Sequence, residues 1–298
     1  METVLGQSLA VLTAGCFAFV STIFSYVGKR IGSNTVTHIR LWLALPGAVI
    51  VHWLFTGVPF PVHINHYSLL LFLLSGVLGF TVADLFIFRS FLLLGVRETL
   101  VILTLSPIMS TIISWFFLAE VLSPVQVLGI VITVAGVMWV IYEEGRKKPG
   151  AEKVPNPGVP FALAGALAQA LANILSKSAL LGDVHPISGS FLRIIAGIAG
   201  LVIFSVHQKS FFADFRKMRH TKLMLLLALA AFVGPLMGVI FTLYALRLAP
   251  VGIVTALVQI SPILLLPYDH FVLKKNITFR VLGGTLTAIA GAAILFVH

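Results

Sequence analysis

The sequence is poor in charge and nearly devoid of cysteine. Only 10% of its 298 residues are Asp, Glu, Lys or Arg, against roughly 25% in soluble domains, too few to furnish a solvated globular surface. The single cysteine, Cys16, excludes an internal disulfide and a cysteine-based metal cluster. No Gly-rich phosphate loop, HExxH or CxxC is present, and Ser188-Gly189-Ser190 lacks the strand–turn–helix setting of a nucleophile elbow. ATP-driven catalysis is therefore excluded as the primary activity. His63 and His66 have the spacing of a metal pair but no Cys or acid close by in sequence, so neither a metal nor any other cofactor is expected.

What is present is apolar. Hydrophobic residues make up 59% of the chain, and the mean hydropathy is +1.06. A helix needs about 20 apolar residues to cross about 30 Å of hydrocarbon. Runs bounded by Gly, Pro and charge predict an all-α polytopic membrane protein with ten such spans. The first five fall at 6–28, 35–56, 68–94, 96–119 and 124–142, the second five at 158–181, 186–206, 221–248, 251–273 and 279–297. The stretch METVLGQ carries no basic n-region, and the run behind it is too long for a cleaved signal, so it reads as the first span. Between the two sets lies 143–157, whose charges and three prolines suit a solvated linker.

Twenty Lys and Arg face ten Asp and Glu, a formal charge of +10. The basic residues sit between spans rather than in one patch, so they record membrane orientation and not a nucleic-acid partner. Loops of one side collect Lys29, Arg30, Arg97, Arg146, Lys147, Lys148, Lys153, Lys209, Arg216, Lys217, Arg219, Lys222, Lys274, Lys275 and Arg280, while the other side holds only Arg247 and, near a span end, Lys177. The positive-inside rule then makes the 143–157 linker cytoplasmic and puts both termini outside.

The two sets of spans are copies. At a fixed offset of 155, Gly79 meets Gly234, Ser106-Pro107-Ile108 meets Ser261-Pro262-Ile263, Ser123 meets Thr278, Gly129 meets Gly284, and Ala135-Gly136 meets Ala290-Gly291, with no gap. The organisation is thus a first repeat at 1–142, the linker, and a second repeat at 158–298. Five is odd, so the second copy enters the membrane from the opposite face. Inverted repeats of this kind underlie alternating access, in which a central site opens first to one side and then to the other.

At these residues the chain resembles the EamA family of the drug/metabolite transporter superfamily. The signatures are LSPIMSTIISWFFLAEVLS followed by LGIVITVAGV, and QISPILLLPYDHFVLKKNIT followed by LGGTLTAIAGA. Glu120 occupies the place of the family's Glu before the turn; Lys275 departs from it in the second copy. The resemblance implies ten helices around a central cavity, a small-molecule substrate, export or exchange of metabolites such as amino acids, and a bacterial plasma (inner) membrane. It also implies that small relatives couple to protons through a carboxylate in their first helix. The first span here has no acid.

Asp84 is the one acid placed well inside a span. A carboxylate at that depth must be paired, solvated or protonated. It is either a site for a proton or a substrate amine, or a structural partner of Arg40 on the neighbouring span. Arg89, about 140° round the helix, is a poorer partner. Arg40 and Arg193 take similar places in the second span of each copy and either pin those helices or offer a cation to an anionic group. Ser106-Pro107 and Ser261-Pro262 interrupt the fourth and ninth spans, where proline frees a carbonyl and creates a hinge or a packing bend. Gln169, Asn173 and Gln259 offer amides either to a substrate or to other helices. Phe17, Phe88 and Tyr244 are candidate cavity walls. Glycines 129, 136, 284 and 291 suit close helix packing, within the chain or between the copies of a homodimer.

The reading that follows is a secondary transporter and not an enzyme, driven by the substrate gradient or by protons. An intramembrane enzyme acting on lipid-linked substrates would need a second catalytic group near Asp84, and a non-transporting scaffold subunit leaves the buried carboxylate without a role.

Overall fold

Glycine, proline and short polar turns cut the apolar chain into helices. The structure, a computed structural model, describes residues 2–94, 96–145, 157–209, 211–216, 221–271 and 278–297. Most of the expected linker at 143–157, as well as Lys274 and Lys275, lies outside the described residues. In the first repeat α1 is Glu2–Ile31 and α2 is Ser33–Thr56. Helix α3 starts as His66–Gly76, passes through a π-helical stretch Val77–Ala83 and continues as Asp84–Leu93. Helix α4 comes in two pieces, Val96–Leu103 and Ser106–Leu118, and α5 is Pro124–Gly145. In the second repeat α6 is Gly158–Leu180 and α7 is Pro186–His207. Helix α8 runs Thr221–Ala231, π-helical Phe232–Gly238 and Val239–Leu248. Helix α9 is broken into Val251–Val258, Ser261–Leu264 and Leu266–Phe271, and α10 is Phe279–Val297. A short helix, Phe211–Arg216, lies between α7 and α8. Among the described residues nine helices are long and apolar enough to cross a membrane; the interrupted α9, apolar over Val251–Leu264, supplies the tenth crossing. The protein is an integral, multi-pass, all-helical membrane protein.

The boundaries have local causes. Helix α2 stops at Gly57, whose φ of 78° suits a residue without Cβ and whose N–H bonds Trp53 O. Asn65 caps α3 by accepting from the Ser68 N–H at 2.7 Å. Pro186 opens α7, where its missing N–H costs no helical bond.

Packing repeats with the same two-fold logic. Helix α5 packs on α10, α2 on α7 and α4 on α9. Helix α1 meets α8 as α6 meets α3, α1 meets α9 as α6 meets α4, and α2 meets α8 as α7 meets α3. Exchanging the repeats leaves that set of neighbours unchanged, as a two-fold axis requires. With five crossings per repeat the axis lies in the membrane plane. Large apolar side chains such as Trp115, Phe116, Phe117, Leu54 and Phe55 remain exposed on the periphery, where lipid covers them.

The tightest seam joins α5 and α10. A Cβ at Gly136 would strike the Ala288 backbone, one at Gly129 the Leu295 side chain, one at Gly284 Val140, and one at Gly291 the Thr133 backbone. The recurring glycines thus let two helices of one chain touch backbone to backbone. That contact leaves them nothing to offer a second copy.

The Ser-Pro pairs do not bend continuous helices. The first piece of α4 ends at Leu103 and that of α9 at Val258, two residues of turn follow, and Ser106 and Ser261 begin new segments with the prolines in their first turns. Proline is favoured there because the first N–H groups of a helix have no partner inside it. The carbonyl that Pro107 leaves free, Leu103 O, accepts instead from Gln259 Nε2 at 3.0 Å, a bond across the two repeats.

Candidate functional site

The two π-helical stretches stand at matching places, since Val77 and Ala83 plus 155 give Phe232 and Gly238. A π turn widens the helix and is often found at functional sites. Both stretches, and both helix breaks of α4 and α9, face one cavity of about 350 Å³. Its walls include Gly79 and Phe80 from the first π stretch, Gly234 and Pro235 from the second, and Ser106 and Ser261 from the two breaks. Helix α1 contributes Phe17, Val20, Ser21 and Phe24.

Seven of the nine binding or wall residues marked in the sequence line this cavity: Asp84, Arg40, Arg193, Gln169, Asn173, Gln259 and Phe17. The two repeats furnish it unequally. The first supplies the ion pair of Arg40 Nη2 with Asp84 Oδ2, both side chains largely withdrawn from solvent. At the position matching Asp84 the second repeat has Val239, which also lines the cavity. In its place the second repeat supplies the three amides and Arg193. The side chains of Gln169 and Asn173 form no hydrogen bond with the described residues, so their amides are open to the cavity. Hydroxyls of Thr242 and Thr255 are also in the wall, although each bonds a carbonyl one turn back on its own helix.

Two expected wall residues lie elsewhere. Tyr244 stands two positions beyond Thr242, about 200° round α8, and so turns away from the cavity. Its hydroxyl instead lies 3.2 Å from His185 Nε2 in the α6–α7 connection. Partial burial, and then the charges of Arg247 and His52, push the His185 pKa below its ordinary value. Phe88 is one turn past Asp84 and packs edge-on against Phe91 at 5.7 Å. It lines a second cavity of about 340 Å³ with His38, Arg89 and Asp214. Arg40 and Arg193, alike by place, are not equivalent by register: the offset of 155 sets His38 opposite Arg193. Arg89, as its angle on the helix implied, does not join Asp84; its guanidinium carbon lies 5.2 Å from the centre of the Phe161 ring.

The sequence reading missed a cluster at the end of the bundle where α4, α6 and the α8–α9 turn meet. Lys177 Nζ lies 2.6 Å from Glu120 Oε1 and donates to Ala249 O at 2.6 Å. Glu120 Oε2 accepts from the Val251 N–H at 2.9 Å. A first-repeat carboxylate is thereby tied to two elements of the second repeat. The available signal was Lys177 itself, a rare basic residue on the sparsely charged side.

Comparison with known proteins agrees with this architecture. The profile of the EamA-like transporter family matches residues 4–142 and again 156–297, one match per repeat. The chain belongs to the EamA-like transporter family. Twenty-nine chains of solved structures match it. One of them, a crystal structure, is 17% identical and superposes with a TM-score of 0.74 over 98% of this chain and 95% of its own; at that identity the likeness speaks for the fold alone. No curated protein matches the sequence. EamA membership makes this a transporter of the drug/metabolite superfamily type and fits the absence of enzyme motifs noted above.

Proposed function

We propose that this EamA protein is a secondary transporter that exports or exchanges small metabolites by alternating access of its inverted repeats, with amino acids the first class to try. The observation that carries the reading is the cavity to which each repeat contributes a π stretch and a helix break. Segments that already depart from regular helical hydrogen bonding are places where a bundle can bend at low cost. In this reading the Glu120–Lys177–Val251 cluster closes the outer end and opens when the repeats rock. The expected setting is a bacterial inner membrane, with both termini outside. The driving force is the gradient of the substrate or of protons. For protons the carrier would be Asp84, the one carboxylate that lines the cavity among the described residues.

The test is uptake by proteoliposomes of a labelled panel of amino acids, nucleosides and organic cations, with and without a proton gradient, for wild type and Asp84→Asn. Selective uptake that follows the gradient and loses that dependence in the variant supports proton coupling. Uptake indifferent to gradient and variant assigns Asp84 to the structure and leaves a facilitator. No uptake of any solute would remove the transport reading.

A further inference from the structure

Three basic side chains are turned inward from α2 and α7. His38 Nδ1 lies 3.4 Å from Asp214 Oδ2, and Arg40 is paired with Asp84. Arg193 is only 3% exposed, yet among the described residues it has neither an acid within salt-bridge distance nor a hydrogen-bond acceptor, and its Nε is buried without a partner. The face of Phe80 lies 5.4 Å from the guanidinium carbon to the ring centre, a weak substitute for an anion. The π stretch of α3 makes room for it at Gly79, where a Cβ would stand 3.1 Å from Arg193 Nη2. Arginine keeps its charge at physiological pH, and an unpaired buried charge inside a membrane bundle is expensive. The cavity walls carry two arginines and one aspartate, which leaves one positive charge uncompensated.

We propose that the transported solute is a small organic acid of net charge −1 whose carboxylate seats on the Arg193 guanidinium. This rests on the transport reading and replaces amino acids, which are zwitterions, with monocarboxylates as its substrate class. The planar fork of arginine matches a carboxylate through two parallel hydrogen bonds. Gln169 and Asn173 then bind a hydroxyl or keto group on the adjoining carbon, and Phe17 and Phe24 cover the apolar remainder. A zwitterion fits less well, because its ammonium needs a free acceptor and Asp84 is already held by Arg40. A phosphate monoester brings a second negative charge with no cation left to meet it.

The experiment compares uptake of labelled lactate, pyruvate, leucine, glycerol phosphate and choline by proteoliposomes carrying wild type, Arg193→Gln or Arg193→Lys. The expected result is uptake of the monocarboxylates, lowered roughly tenfold or more in Arg193→Gln, since hydrogen bonds to charged groups are the strong ones. Arg193→Lys retains part of it, having the charge without the fork. The unfolding temperature of Arg193→Gln should be no lower than that of wild type, because the substitution removes an unpaired charge; a lowered uptake then reports binding and not misfolding. Uptake of leucine, glycerol phosphate or choline in preference to the monocarboxylates overturns the proposal, as does monocarboxylate uptake unchanged in Arg193→Gln. If wild type takes up nothing, lactate is added to the purified protein and its unfolding temperature is read. A rise that Arg193→Gln abolishes keeps the anion site and removes transport; no rise overturns the anion site as well.

Discussion

The seam between α5 and α10 and the cavity between α3 and α8 are products of the same two-fold, and glycine is placed symmetrically in both. In the seam the glycines bring backbones into contact and leave no space, with Gly136 against Ala288 and Gly291 against Thr133. At the cavity Gly79 and Gly234 sit within π-helical stretches and admit side chains instead, Arg193 and Ala172 against Gly79 and Val20 against Gly234. The difference teaches that glycine has no single meaning in such a chain. In the seam it admits a neighbouring backbone; in the widened helices it admits a neighbouring side chain. A bundle built this way has a stiff edge and a deformable middle, and the rocking proposed above would be accommodated in α3, α4, α8 and α9 and not at the seam.

The comparison breaks most visibly at Gly136. Leucine there places its Cβ inside the Ala288 backbone, so Gly136→Leu should cost more than about 3 kcal/mol, beyond ordinary overpacking because backbone cannot step aside. The readout is thermal unfolding of the purified protein in detergent. Gly15→Leu is the control, since a Cβ at Gly15 meets nothing within 4 Å and its effect should stay within about 0.5 kcal/mol. Equal effects at the two glycines would mean that the seam is not the stiff edge described here.

Within the cavity the corresponding break is Arg40→Ala, which leaves the Asp84 carboxylate without its cation. The side chains of the pair are 14% and 17% exposed, and water reaching the cavity softens the loss, so the expected cost is about 2 kcal/mol, below the figure for a fully buried pair. Adding Asp84→Asn should recover most of it, because the double variant carries no orphaned charge. Thermal unfolding of the two single variants and the double variant checks this; full additivity would show that the pair does not interact.

Much of the fold was legible in the sequence because membrane helices announce themselves by length and apolarity, and the copies by a fixed offset of 155. The six polar cavity residues were found because polar groups inside apolar spans are few. What escaped reading depended on angle and on partner. Tyr244 and Thr242 look alike as polar-edged residues of one span, but two positions of helix separate wall from non-wall. Phe88 shares a face with Asp84 and is displaced by a single turn into the second cavity. The π stretches carry no composition of their own beyond Gly79 and Gly234. The Ser-Pro pairs pointed to disrupted hydrogen bonding, yet whether proline bends a helix or begins a new one is decided by neighbours such as Gln259, which claims the freed Leu103 carbonyl. Glu120 and Lys177 were visible as letters, but their closeness is a property of the packed repeats.

The smallest expected effect lies outside the spans, at His185, and sharpens the contrast between the wetted ends of the bundle and its interior. Partial burial and the nearby Arg247 disfavour the imidazolium and lower the His185 pKa from its ordinary value of about 6.5. The folded protein therefore binds fewer protons at this site than the unfolded chain does between the two pKa values. The stabilising contribution is fully present above pH about 6.5 and is lost as pH falls through the lower, folded pKa. Because the ring is exposed, solvent screens most of the effect. Unfolding temperatures of wild type and His185→Gln measured from pH 8 down to pH 5 should run nearly parallel above about pH 6.5 and converge or cross below it, as only wild type takes up the proton on unfolding. The variant also loses the contact of His185 Nε2 with the Tyr244 hydroxyl, which offsets the two curves by a constant and leaves their difference in slope to report the histidine alone. Curves parallel over the whole range would place His185 in an environment no different from water.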